Sequence, residues 1–362
     1  MTLKFVFDPL STSGFGRIGK NWVLCIGAGV NAPVLPDWDN LVKTLIEETF
    51  GASFLATYGE IQVRKSWSAD SWIQVCLNRF LDTGGTYEKF RSVLSDIIYH
   101  PLYIGRSATE RALLTKGFSR SGKLGKKEFF TFGDILIDAF KNTTVFALAN
   151  ILCEEKYAKK LPFAILNFNA DIILDILVFI LNKRNLAARN NNFDDPPLIL
   201  NRISNRVAAQ NYFRMFENRI PVYHIHGSVF PSDQHAKHAQ QVSDLVFEEN
   251  SYADMAQNAY AWGQTIFLSL CQDRQMVFLG LSMKDPNIRK WLIFSQTQDN
   301  ETLTDIAQVK DFTGRHIWID RAAGTKDPLL LDYLTRHLGV KIATIHNWER
   351  VGPALKSLVG LH

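Results

Sequence analysis

Residues 22–37 read WVLCIGAGVNAPVLPD, and the order of residue types in this stretch decides the fold class. WVLCI is a short all-apolar run that stops at Gly27, the pattern of a strand buried on both faces of a parallel sheet. After the GAGVNAPVLP loop, Asp37 is placed to cap a helix whose apolar residues Trp38, Leu41, Val42, Leu45 and Ile46 recur at helical spacing, and Gly51 is placed to end it. A strand, a glycine-rich turn and a helix are thus expected in that order.

Strand-like runs return at FAILNFNAD (163–171), VYHIHGS (222–228), MVFLGLS (276–282) and HIWID (316–320), each closing in small or polar residues. DIILDILVFILNK, the stretch 251–271 and NIRKWLIFSQ supply crossover helices between them. The economical architecture is α/β: a Rossmann-like parallel sheet with helices on both faces, whose ligands bind beyond the carboxyl ends of the strands. Residues 1–55 and 160–350 are expected to form this domain, split by an inserted helical subdomain at 56–159, with 351–362 as a C-terminal tail. Inside the insert, RSATERALLTKGFSRSGKLGKKE carries seven basic residues and three glycines, so a mobile basic loop is expected near 106–127. RNNNFDDPPLILNRISNR (189–206) reads as a surface excursion, because Asn and the Pro196-Pro197 pair break regular structure.

Composition sets outer limits. The 362 residues are 46% hydrophobic and 21% charged, with 25 Phe and 8 Trp, which excludes collagen-like, coiled-coil and wholly disordered chains. A net charge of +4, from 40 basic and 36 acidic residues, neither demands nor forbids a nucleic-acid partner. Cys25, Cys76, Cys153 and Cys271 lie far apart with no C-x-x-C pair, so no zinc ribbon can be written, and buried thiols in a reducing cytoplasm are expected. His235 and His238 have a spacing open to a metal but lack further ligands, so no metal site is assigned. The first twenty residues show no signal peptide, and IILDILVFIL is too short to span a membrane.

Polar side chains at strand ends carry the chemistry. Gly27 and Gly29 allow a loop to approach a phosphate, although a tight turn without a ligand explains them equally. Asn169 and Asp171 alternate at the end of a buried run and so share one side; they either engage a ligand or cap the helix from Ile172. His224 and His226 close another run beside Gly227, as core histidines or as a base. Gly280 and Ser282 end a third, with Asp285-Pro286 starting a helix.

The ordered set GAGVN with LPDW, NFNAD, HIHGS and FLGLSMKDPNIR resembles the sirtuin-like NAD-consuming family, and within it the bacterial branch of antiphage defence systems. The resemblance covers roughly 20–50 and 160–320 and implies that Gly27, Ala28 and Gly29 hold the NAD pyrophosphate, with Asp37 and Trp38 near the nicotinamide pocket. It further implies that Asn169 contacts the ribose and places the attacking water, Asp171 orients the carboxamide end, and His226 is the base. Gly280 and Ser282 would touch the adenosine-side ribose or phosphate, and Asp320 would lie near the adenine. Among the pocket residues, Asn31 stands where the family usually has serine; Val34, Leu35 and Asn167 also depart from its pattern, while Asn169, Asp171 and His226 keep it.

Nicotinamide is cationic in NAD and leaves as a neutral molecule, so its release needs no paired carboxylates. The family's deacylases carry a four-cysteine zinc module that this chain cannot supply. The expectation is an NAD glycohydrolase yielding nicotinamide and ADP-ribose, with NAD as substrate and no zinc. As an abortive antiphage effector it would be gated by homo-oligomer assembly or by a partner such as an ATPase, nuclease or nucleotide-processing subunit. A non-catalytic NAD or ADP-ribose sensor or scaffold is the alternative, and direct nucleic-acid binding through 106–127 a third. NAD against NADP stays open, with Arg321 and Lys326 near the adenine end.

Overall fold

The computed structural model describes residues 21–55, 57, 67–120, 123–154, 160–190, 199–204, 219–231, 245–247, 249–251, 253, 261–283, 285–307, 315–321 and 328–360. His235, His238, Lys326, the first twenty residues and the Pro196-Pro197 pair lie outside them. Seven strands form one sheet: β1 (Val23–Ile26), β2 (Ala164–Asn167), β3 (Leu200–Ile203), β4 (Ile220–His224), β5 (Met276–Leu279), β6 (His316–Arg321) and β7 (Val340–Ile345). Their spatial order is β3-β4-β2-β1-β5-β6-β7, and every pairing is parallel. The fold is therefore the Rossmann-like α/β class expected. Later strands are laid down first on one side of β1 and then, from β5, on the other, so the crevice at the carboxyl ends of β1, β2 and β5 is a topological switch point.

Strand side chains alternate between two apolar cores. Leu24, Ile26, Ile165, Val277 and Leu279 face one core; Val23, Cys25, Leu166, Met276 and Phe278 face the other. The first core is covered by α1 (Trp38–Phe50), α2 (Ala69–Asp82), α3 (Tyr87–Tyr99), α4 (Ala108–Arg120), α5 (Lys126–Phe140), α6 (Thr144–Cys153) and α7 (Ile173–Asn190). The second is covered by α8 (Trp262–Asp273), α9 (Pro286–Ala307) and α10 (Pro328–Asp332). Among the described residues no helix is long and apolar enough to cross a membrane. All four cysteines are free and buried, and burial pushes the thiols of Cys76 and Cys153 up to about 11 and about 12.

Helix α1 runs as its sequence dictates: Asp37 accepts from the Asn40 amide at 2.9 Å, and Gly51 closes the helix at φ 88°. Elsewhere the structure departs from local expectation. Most of the basic stretch 106–127 is helix rather than loop, because α4 buries Leu114 and Phe118 and its glycine is a packing residue. A Cβ on Gly117 would lie 2.4 Å from the Phe132 ring. LNRI within the Asn-rich excursion is edge strand β3, and VKIATI is edge strand β7. The expected tail begins with α11 (Val351–Leu358), which buries Val351, Leu355 and Leu358 and packs on α6.

Two loops meet at the switch point through backbone alone. Gly27 donates its amide to the Leu279 carbonyl at 3.0 Å and Gly29 to that of Gly280 at 3.0 Å. A Cβ on Gly27 would lie 2.7 Å from the Gly280 oxygen, and one on Gly29 would lie 3.0 Å from it. Gly280 itself sits at φ +67°, and a Cβ there would meet the Val30 nitrogen at 2.6 Å. Gly280→Ala should therefore lower unfolding free energy by about 2–4 kcal/mol, from left-handed strain plus overpacking. Gly51→Ala, with positive φ but nothing within 4 Å, should cost only about 1–2 kcal/mol; chemical denaturation of both variants checks the difference.

Candidate active site

At the carboxyl ends of the central strands lies a cavity of about 730 Å³, which shares Ala28, Asp37, Trp38 and Phe168 with a smaller pocket of about 40 Å³. Gly27, Gly29, His226, Gly280, Ser282 and Asp320 line the large cavity. Asn31, Asn169 and Asp171 line the small pocket. The residues that the resemblance assigns to NAD thus line two adjoining pockets, although the segments that supply them are up to about 290 residues apart along the chain.

The loop amides hold the two loops in place. Those of Gly27, Gly29, Val30 and Asn31 donate to the carbonyls of Leu279, Gly280, Gly27 and Ala28. The glycines therefore first satisfy a loop-to-loop contact, and these four amides are committed to backbone.

A buried polar cluster fills the small pocket's floor. Asn31, 2% exposed, donates from Nδ2 to Asp171 Oδ2 at 2.6 Å. Asp171 Oδ1 accepts from the Ile173 amide at 3.0 Å, so this residue does cap α7 while its second oxygen holds Asn31. Asn169 is tied by its amide to Asn167 Oδ1 at 2.9 Å and by its carbonyl to His224 Nδ1 at 3.3 Å. His224 is fully buried and faces Asp175 Oδ2 from Nε2 at 3.5 Å, which makes it a core histidine behind the site. The Oδ1 atoms of both Asn31 and Asn169 are buried and accept no hydrogen bond from the described residues. Buried acceptors of this kind are costly unless a donor meets them, and both belong to residues lining the small pocket.

His226, 2% exposed, closes the turn after β4 before Gly227 at φ +78°. Its ring packs edge-on to Phe168 at 5.5 Å between centroids and hydrogen-bonds the Phe168 backbone. Nε2 faces Asp285 Oδ2 at 3.7 Å. Burial pushes the imidazole below its ordinary value, against the opposing pull of Asp285. That burial favours the neutral ring, the form in which an imidazole can act as a base.

Helix α3 braces both site loops. Ser95 Oγ donates to the Phe230 carbonyl at 2.6 Å, Tyr99 Oη donates to that of Val229 at 2.7 Å, and the Ile172 amide donates to Tyr99 Oη at 3.0 Å. One phenol thus links the loop after Asp171 to the loop after His226.

Several cavity residues carried no sequence signal. Trp67, Ser68 and Asp70 reach it from the start of α2, and Trp348 from the segment after β7. Asp285 read only as a helix cap. Five aspartates, Asp37, Asp39, Asp70, Asp285 and Asp320, line the cavity, and no Lys or Arg is among its described lining residues. Among the described residues no group of three or more His, Cys, Asp or Glu is arranged to hold a metal ion.

A family model of the SIR2-like domain matches residues 198–333, which supports a sirtuin-like family for the chain. The match points to an NAD-dependent enzyme family. It contains β3 to β6 with His226, Gly280, Ser282 and Asp320, while the GAGVN and NFNAD segments precede it and join it through the β1 and β2 pairings. No curated protein matches the chain.

Burial drives the Asp171 carboxyl up to about 6, outweighing the Ile173 amide and His224, which lower it. A carboxyl raised in the folded state favours folding in its protonated form. Its contribution is full below about pH 4 and is lost as pH rises through about 6. Compared with Asp171→Asn, wild type should lose about 3 kcal/mol more unfolding free energy between about pH 4 and about pH 7.5. Denaturant titrations at the two pH values measure it.

Proposed function

We propose that the protein is an NAD glycohydrolase that cleaves NAD to nicotinamide and ADP-ribose. The observation that carries this reading is the pair of buried, unmet acceptors, Asn31 Oδ1 and Asn169 Oδ1, on one small pocket that opens beside His226. A carboxamide NH₂ group and the ribose hydroxyls or an attacking water are donors of the kind such acceptors require.

Each group then has a defined task. The carboxylate of Asp171 can only accept when ionised, so it fixes Asn31 with Nδ2 toward Asp171 and leaves Oδ1 as the free acceptor, and Asp171 acts through Asn31. Asn169 Oδ1 orients the water or ribose hydroxyl. The C1′–N bond breaks with its electron pair passing to the nicotinamide nitrogen, water oxygen bonds to C1′, and His226 takes the water's proton. No general acid is required, because the leaving group departs neutral. The acidic lining suits a cationic nicotinamide ring and ribose hydroxyls. It also disfavours a further phosphate, so NAD is the preferred substrate over NADP.

The same reading makes the protein an antiphage effector that depletes NAD when assembly or a partner protein activates it. What supports gating is the brace from α3, since movement of that helix is felt at once by the loops bearing Asp171 and His226. Elements that can take two arrangements are the usual carriers of coupling between a docking surface and a site.

Nicotinamide release from NAD, followed across protein concentration and with the genomic neighbour co-expressed, tests the proposal. Wild type should turn over; His226→Ala should lose about 10²- to 10⁴-fold, and Asn169→Ala should be at least as impaired. Binding of NAD without turnover under every condition would instead establish the sensor reading. Full activity of dilute monomer would remove the gating.

A further inference from the structure

Asp285 stands between two structural duties. Its Oδ1 accepts from the amides of Asn287 at 2.8 Å and Ile288 at 3.4 Å, capping α9, while Oδ2 lies 3.7 Å from His226 Nε2. The backbone leading to it is unusual: Met283, 6% exposed, holds φ +55°, the only described non-glycine residue with positive φ. Strain of this kind persists where the surroundings fix the chain in place. Here the fixed end is the helix cap, and the cap leaves the second oxygen aimed at the histidine.

We propose that Asp285 is a positioning residue for His226, using the helix cap to hold a carboxylate oxygen against the ring that takes the proton. This rests on the reading of His226 as the base. When His226 takes a proton, a cation forms in a buried site, and the carboxylate opposite offsets the loss of hydration. Phe168 meets the ring with neutral groups, its own ring and its backbone from the β2–α7 loop. Asp285 is a charged group that acts on the ring. Asp171 and Asp175 act on His224 instead.

Asp285→Asn separates the two duties, because an asparagine oxygen caps a helix as well as aspartate does and removes only the charge. The His226 ring resonance, assigned by its loss in His226→Ala, is titrated by NMR without NAD, alongside kcat, KM and melting temperature. In Asp285→Asn the midpoint should fall by about one pH unit or more and kcat about tenfold or more. KM should stay within about twofold, and melting temperature within about 2 °C. Asp285→Ala, which loses the cap as well, should show the same titration shift with a clearly lower melting temperature. An unchanged His226 midpoint in Asp285→Asn overturns the proposal. A lowered midpoint in a protein that never releases nicotinamide upholds the pairing and removes the hydrolase reading instead.

Discussion

Contact between the loops that leave β1 and β5 constrains everything built above them. Gly29 donates to Gly280, and the space between the two backbones admits no Cβ on Gly27, Gly29 or Gly280. Because the strand order reverses around β1, this contact sits where the crevice opens. It fixes the floor of the cavity and the start of the segment that carries Met283 and Asp285. It also fixes the short turn that brings Asn31 over Asp171. The histidine on one side and its carboxylate on the other thus take their spacing from a backbone seam to which neither contributes an atom.

Around that seam the protein buries more polarity than stability alone recommends. Asn31, Asn167, Asn169, Asp171, His224, His226 and Ser228 are all under a tenth exposed. Each buried polar group costs free energy unless partnered. Asp171 is held by Asn31 and the α7 amide, and the backbone of Asn169 by Asn167 and His224. The two amide oxygens left over belong to one pocket. Two buried amide oxygens on the lining of one pocket suit a ligand that donates, and the bonds that hold Asn31 and the Asn169 backbone supply the rigidity.

Much of this was legible in residue order, and the limits have physical causes. WVLCI, the Asp37 cap and the Gly51 stop declared themselves because both strand burial and helix capping are local properties. The site residues were legible because polar side chains at the ends of apolar runs have few inexpensive structural uses. Strands β3 and β7 were not, since each is an edge strand with an incomplete apolar pattern: only Leu200 and Ile203 are buried in β3. Helix α4 was hidden by Gly117, a residue that reads as flexible until the Phe132 ring is placed against it. Asp285 was legible as a cap and opaque as a partner for His226. Capping is encoded within four residues, whereas the approach of His226 depends on β4 and β5, which the sheet order holds apart by β2 and β1.

The first apolar core runs without a break from the sheet through α1 to α6, α7 and α11. The helices between β1 and β2 consequently share the sheet's stability rather than possessing their own. Excising them would bare Leu24, Ile165 and Val277 along a whole sheet face, surface of the kind that drives chains to aggregate. Sharing that core, they are expected to melt with the strands as one cooperative unit. Any force applied to their outer surface is therefore borne by the same lattice of contacts that holds the crevice in shape.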